Sequence, residues 1–131
     1  EYMALTRARV VTGDPALKDK IENVVEEALS RPRDEATLRA EVDNMRRRVE
    51  KDRGTRNPWD LKYVRGGLMD MDFIAQTLWL QHGAANSEPK AAAGSAHIFT
   101  SLKKQGLLES GTAAALLDSF FFLSQLHSML R

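Results

Sequence analysis

The sequence predicts an all-α fold, a bundle of five or six helices, and three observations carry that prediction. Apolar residues recur at spacings of three and four in one segment after another. Aspartate, proline and glycine punctuate those segments where helices start and stop. No series of alternating apolar and polar runs of the kind that builds a sheet is present. With 131 residues, 43% of them hydrophobic, the chain can bury one ordinary core, so residues 1–131 read as a single domain.

Taken in order, Met3, Leu5, Ala8 and Val11 predict a first short helix over residues 2–11, ending before Gly13. Asp14 ahead of Pro15 is a capping residue followed by a favoured first-turn proline. Leu17, Ile21, Val24, Ala28 and Leu29 then form one apolar stripe of a second helix. Arg31-Pro32-Arg33 breaks that helix, and Asp34 caps a third. Its Leu38, Val42, Met45 and Val49 repeat as the seam of a helix pair, with Arg46, Arg47, Arg48, Glu50, Lys51 and Asp52 largely on other faces. Residues 54–58 read as a connector, and WDLKYV after it alternates in a way that allows a short strand.

Gly66-Gly67 opens a fourth helix, LMDMDFIAQTLWLQH, whose Leu68, Met71, Ala75 and Leu78 share a face that Phe73, Ile74 and Trp79 widen; burial is expected to be deep. Small residues, proline and glycine place a mobile loop at 83–94. A fifth helix follows over residues 95–105, ended by Gly106. Ser110 is the expected cap of the last helix. That helix is apolar around much of its girth, from Ala113 through Phe120, Phe121, Phe122 and Leu126 to Leu130, and a central position is expected for it.

Composition bounds the function. The formal net charge is +1, from 19 basic and 18 acidic residues, so no global field draws the chain to nucleic acid or an anionic membrane. The absence of cysteine excludes a disulfide framework and thiolate zinc sites, and fits a cytoplasmic setting. No apolar run approaches the roughly 20 residues that span a bilayer. An opening without an initiator Met, already in a helical pattern, leads us to expect a piece of a longer protein.

The most pointed local feature is WDLKYVRGGLMDMDFIAQ. Paired glycines let backbone approach a ligand, amides at a helix start attract phosphate oxygens, and Lys62 and Arg65 add charge. The same residues also fit an ordinary turn and helix start, and the block is no P-loop. Asp70 and Asp72 invite a Mg²⁺ reading. Two residues apart on a helix, however, their side chains diverge by about 200°, so one metal cannot readily use both. One of them can face a site while the other caps the helix or meets an arginine. Arg7 and Arg9 diverge for the same reason, so at most one can reach a phosphate, and a salt bridge or surface position is their ordinary fate. Arg46-Arg47-Arg48 reads as a solvated face. His82, His97 and His127 lack metal-ligand spacing, and no GxSxG elbow is present. Phe120, Phe121 and Phe122 read as core.

ALTRARVVTGDPAL, the stretch from Leu38 to Glu50, and DLKYVRGGLMDMDFIAQTLWL together resemble the bacterial glutamine-synthetase adenylyltransferase family, a bifunctional adenylyltransferase/deadenylylase. The blocks occur in family order over the first eighty or so residues. They look most like the helical domain behind the nucleotidyltransferase core of the second, adenylylating half. The resemblance implies transfer of AMP from ATP to a tyrosine of glutamine synthetase, with Mg²⁺, and regulation by PII protein and glutamine. The family's metal-binding aspartates belong to a Gly-Ser motif on the preceding sheet, which has no counterpart here. The chain is therefore expected to supply no catalytic or metal-ligating residue and to be inactive alone, needing no cofactor of its own. Lys62, Gly66, Gly67, Asp70 and Phe73 match the family block, while Asp72 stands where glutamate is usual. Lys62, Arg65, Gly66, Gly67, Asp70 and Asp72 are thus the expected nucleotide-side residues. Its expected neighbours are the preceding core, glutamine synthetase and PII. The alternative is a non-catalytic module that docks glutamine synthetase or PII through helix surfaces, or, third, a spacer between catalytic halves.

Overall fold

The computed structural model describes residues 2–82 and 94–130. Among them are six helices and no strand: α1 (Tyr2–Leu5), α2 (Pro15–Ser30), α3 (Glu35–Arg53), α4 (Leu68–Gln81), α5 (Ser95–Lys104) and α6 (Ser110–Met129). The all-α prediction holds.

The caps explain the starts. Asp14 accepts the amides of Ala16 and Leu17 at 2.9 and 3.1 Å, with Pro15 in the first turn of α2. Asp34 accepts Thr37 N–H at 2.8 Å and opens α3. At α6 the cap is Glu109, not Ser110: its carboxylate accepts Gly111 and Thr112 N–H at 2.7 and 2.6 Å. A longer side chain reaching two amides displaces the hydroxyl expected there.

Three further expectations are corrected. The first helix stops at Leu5, because the amides of Arg7 and Ala8 bond three residues back, and Thr6 turns its hydroxyl onto the Met3 carbonyl at 2.7 Å. WDLKYV forms no strand. Asn57 bonds Trp59 N–H at 3.0 Å, and the amides of Tyr63 and Val64 both return to Asp60, so the segment is a run of turns that drops Leu61 into the interior. The last helix is peripheral: only Ala113 is buried, and Phe121 and Phe122 are 57% and 65% exposed. The expected loop at 83–94 lies, except for Gly94 ahead of α5, outside the described residues.

Position at the centre falls to α4, which packs against α1, α3, α5 and α6. Its Met71, Ala75 and Trp79 meet Ile98, Phe99 and Leu102 of α5 in one apolar cluster, edged by Leu116, Leu117, Phe120 and Leu123 of α6. Leu80 turns the other way, into a second cluster with Leu29 of α2 and Leu38 of α3. The first half of the α2 stripe, Leu17, Ile21 and Val24, stays exposed, and Met45 sits exposed at the edge of the α3 seam. This packing fixes α3 beside the start of α4, and the glycine turn lies between them.

Candidate functional site

The turn from Leu61 to Met69 is held by its own backbone. Gly66 has φ +76°, a left-handed conformation that glycine adopts freely. Gly67 is required for a different reason: a Cβ there would lie 2.4 Å from the Leu61 carbonyl oxygen and 2.8 Å from that of Val64. The close approach that the paired glycines permit is to the chain itself. Four consecutive amides are also spoken for. Gly66 N–H donates to Asp70 Oδ2 at 2.7 Å, Gly67 to Val64 O at 2.9 Å, Leu68 to Leu61 O at 2.8 Å and Met69 to Lys62 O at 3.1 Å. The start of α4 therefore offers none of these amides to an anion, which corrects the helix-start part of the sequence reading.

The two aspartates diverge as the helical geometry requires. Asp70 turns back to the Gly66 amide and pairs with Arg46 of α3, whose Nε and Nη2 both donate to its carboxylate, the latter at 3.3 Å. Asp72 meets Arg7 at 2.6 Å and accepts the Ser95 hydroxyl at 2.5 Å, tying the α1 segment and the start of α5 to α4. Each carboxylate thus has a cation and a second donor. No group of three or more His, Asp or Glu side chains able to hold a metal occurs among the described residues.

The cations face outward. Arg65 is 79% exposed and forms a two-point pair with Glu50 of α3, Nε to Oε1 at 2.9 Å and Nη2 to Oε2 at 3.1 Å. That pair lowers the Glu50 pKa below its ordinary value and raises that of Arg65. Lys62 is exposed, its ammonium 5.1 Å from the centre of the Tyr63 ring, and Arg53 donates to the Tyr63 hydroxyl at 3.2 Å. Hydrogen bonds from Arg53 and then Lys62 hold the phenol pKa below its usual value. A cleft of about 400 Å³ opens between α3 and α4, with Arg46, Arg65, Gly66 and Asp70 on its polar side and Val42, Phe73 and Ile74 on its apolar side. Chemically, the arrangement presents two outward cations on a stiff turn beside a half-apolar cleft; it offers no nucleophile paired with a base.

All six expected residues except Asp72 gather at this turn or its cleft, while Asp72 faces Arg7 and Ser95. Arg46 and Glu50 escaped the sequence reading as part of a charged helical face. Their signal was present: Arg46 lies four residues after Val42, at the margin of the apolar stripe, and Glu50 four residues after Arg46.

Residues 36–131 match the family model described as GlnD PII-uridylyltransferase. Over 88 residues the chain is 46% identical to a bifunctional glutamine synthetase adenylyltransferase/adenylyl-removing enzyme of Bradyrhizobium sp. (strain BTAi1), an alignment covering 67% of this chain and 9% of that protein. All of this chain aligns at 37% identity with 13% of the protein of the same description from Rhodopseudomonas palustris (strain HaA2). The same coverage and identity are found with that of Mesorhizobium japonicum. The chain thus spans between 9% and 13% of the length of these relatives.

Proposed function

Because the chain belongs to the GlnD PII-uridylyltransferase family and is homologous to a region of the bifunctional glutamine synthetase adenylyltransferase/adenylyl-removing enzymes, we propose that it is a helical domain of a cytoplasmic enzyme that transfers AMP from ATP to a tyrosine of glutamine synthetase. The observation that carries the reading is the alignment of all 131 residues, without remainder, to one region of such enzymes. The second, adenylylating half is the half we assign it to, on the Lys62 to Phe73 block.

In this reading the preceding nucleotidyltransferase core holds ATP and Mg²⁺, and the helical domain closes the phosphate side. Mg²⁺ supplies neutralisation of the triphosphate when bound. The described carboxylates of this chain do not fit it: Asp70 and Asp72 point apart and each is paired with arginine. Lys62 and Arg65 carry the contact. Their charges stabilise the phosphate oxygens as the tyrosine oxygen bonds to the α-phosphorus and the bond to pyrophosphate breaks. Gly66, Gly67 and Asp70 hold the turn that aims them, and Asp72 fixes α4 to its neighbours.

The test is Lys62→Ala in an enzyme that includes the core. Adenylylation should fall about tenfold, as loss of a charge-assisted contact worth about 1.5 kcal/mol implies, with the thermal midpoint unchanged because Lys62 is exposed. An unaltered rate and ATP dependence would remove Lys62 from the site.

A second reading, docking of glutamine synthetase or PII through helix surfaces, has its own observation: α6 exposes Phe121, Phe122 and Met129, the last by 78%. Calorimetric titration of either partner into the chain and into its Phe121→Ser/Phe122→Ser variant separates the two. Binding that the variant abolishes, with no response to Mg·ATP at Lys62 or Arg65, would favour docking.

A further inference from the structure

Glu50 stands between two guanidinium groups and serves the one that needs it less. Arg65, 79% exposed, takes both of its oxygens, at 2.9 and 3.1 Å. Arg46, one turn earlier on α3 and 17% exposed, donates Nε and Nη2 to Asp70, but its Nη1 is sealed from solvent and has no hydrogen-bond partner. A carboxylate oxygen, Glu50 Oε2, lies 3.9 Å from Arg46 Nη1, beyond hydrogen-bond range. A buried donor left unpaired is costly, whereas an exposed guanidinium released from a carboxylate is taken up by water. Withdrawing Arg65 from Glu50 is therefore offset by what Glu50 can then do for Arg46.

From this we propose that Glu50 is an exchangeable counter-ion that positions Arg65 at the mouth of the cleft and, when a phosphate-bearing anion engages Arg65, closes onto Arg46 Nη1. The inference rests on the reading of Arg65 as a phosphate contact and deepens it. Arg46 and Glu50 act as positioning residues: both lie on α3, and Arg46 already grips Asp70, which holds the Gly66 amide. Occupation of Arg65 is thereby transmitted to the turn that carries Lys62. The lowered Glu50 pKa agrees with a carboxylate kept charged by its guanidinium partners.

The exchange can be tested with and without an anion by nitrogen-15 NMR of the arginine side chains and carbon-13 titration of the Glu50 carboxyl in the 131-residue chain. In Arg65→Ala, an exposed substitution, the Arg46 Nη1 protons should shift downfield and exchange more slowly, and Glu50 should still titrate below its ordinary value. In Glu50→Ala the Arg46 Nη1 protons should show neither the downfield shift nor the slower exchange, since Nη1 loses a charge at 3.9 Å but no hydrogen bond. Unmoved Arg46 signals in Arg65→Ala, with Glu50 back at its ordinary value, would overturn the exchange. Inorganic pyrophosphate titrated into the parent chain should move Arg65 and Arg46 on one saturation curve. Movement of Arg65 alone overturns the exchange and leaves Arg65 as a phosphate contact; movement of neither overturns both.

Discussion

Gly66 and Gly67 sit side by side and forbid a side chain for unrelated reasons, which makes them separable by substitution. At Gly66 the obstacle is conformation: φ is +76°, yet a Cβ would meet nothing within 4 Å. Gly66→Ala should therefore cost about 1–2 kcal/mol, the usual left-handed penalty, and Gly66→Asn distinctly less, because asparagine tolerates that region. At Gly67 the obstacle is space, with the Leu61 carbonyl 2.4 Å from a Cβ. Gly67→Ala should cost about 3 kcal/mol, at the upper end for overpacking, and asparagine should be no better than alanine. Denaturant midpoints of the four variants decide the matter, and equal rescue by asparagine at both sites would refute the distinction. A turn at the paired glycines was legible in the sequence, but the close approach was expected to be to a ligand; that it is to the chain, and the division of labour with it, depends on where the Leu61 carbonyl folds back. The divergence of Asp70 and Asp72 was legible from helical geometry alone. Their partners Arg46 and Arg7, 24 and 65 residues away in sequence, become visible only when α3 and the α1 segment are placed against α4.

At the scale of the element, two of the three described side-chain caps were legible locally, while the Glu109 cap of α6 and the early end of α1 at Leu5 were not. Asp14-Pro15 and Asp34 mark the starts of α2 and α3 because a cap is a bond between near neighbours. What depends on a partner elsewhere is misread: α6 is apolar on more sides than its described neighbours cover, and WDLKYV alternates with no strand to pair with among the described residues. The caps also predict an acid response. Glu109, at the start of α6, has its pKa lowered from 4.5, chiefly by accepting the amides of Gly111 and Thr112, and Asp34 has its pKa lowered from 3.8, chiefly by its bond from the Thr37 hydroxyl. A carboxylate whose folded pKa is depressed stabilises fully above its unfolded value, and that contribution is lost as the pH falls through the folded one. Helicity should therefore hold down to about pH 4.5 and decline below it as these caps protonate in turn. Circular dichroism of Glu109→Gln, which lacks the titrating group, should show a smaller acid-dependent loss than the parent. Superimposable acid titrations would mean that Glu109 contributes nothing to it.

Across the whole molecule, α4 is the member that makes one body out of two apolar clusters. Consecutive residues serve different sides: Trp79 is 1% exposed in the cluster with α5 and α6, and Leu80 is 2% exposed in the cluster with α2 and α3. A helix cannot lose its place on one side and keep it on the other, so the two clusters should unfold together and residues 1–131 should behave as one cooperative domain. Trp79 reports on the first cluster once the exposed Trp59 is replaced by phenylalanine, while circular dichroism reports on all six helices. Thermal transitions followed by the two probes should coincide in that background. Leu80→Ala, which empties the second cluster at a cost of about 3 kcal/mol, should lower both midpoints by the same amount although it leaves the Trp79 cluster untouched. A fluorescence midpoint that stays put while the helical signal splits into two steps would show the clusters to be separate units. The turn between α3 and α4 would then be a hinge between bodies. In a single body it is a fixed platform, and only a fixed platform can hold Lys62 and Arg65 in constant register with a catalytic core, as the proposed phosphate contact requires.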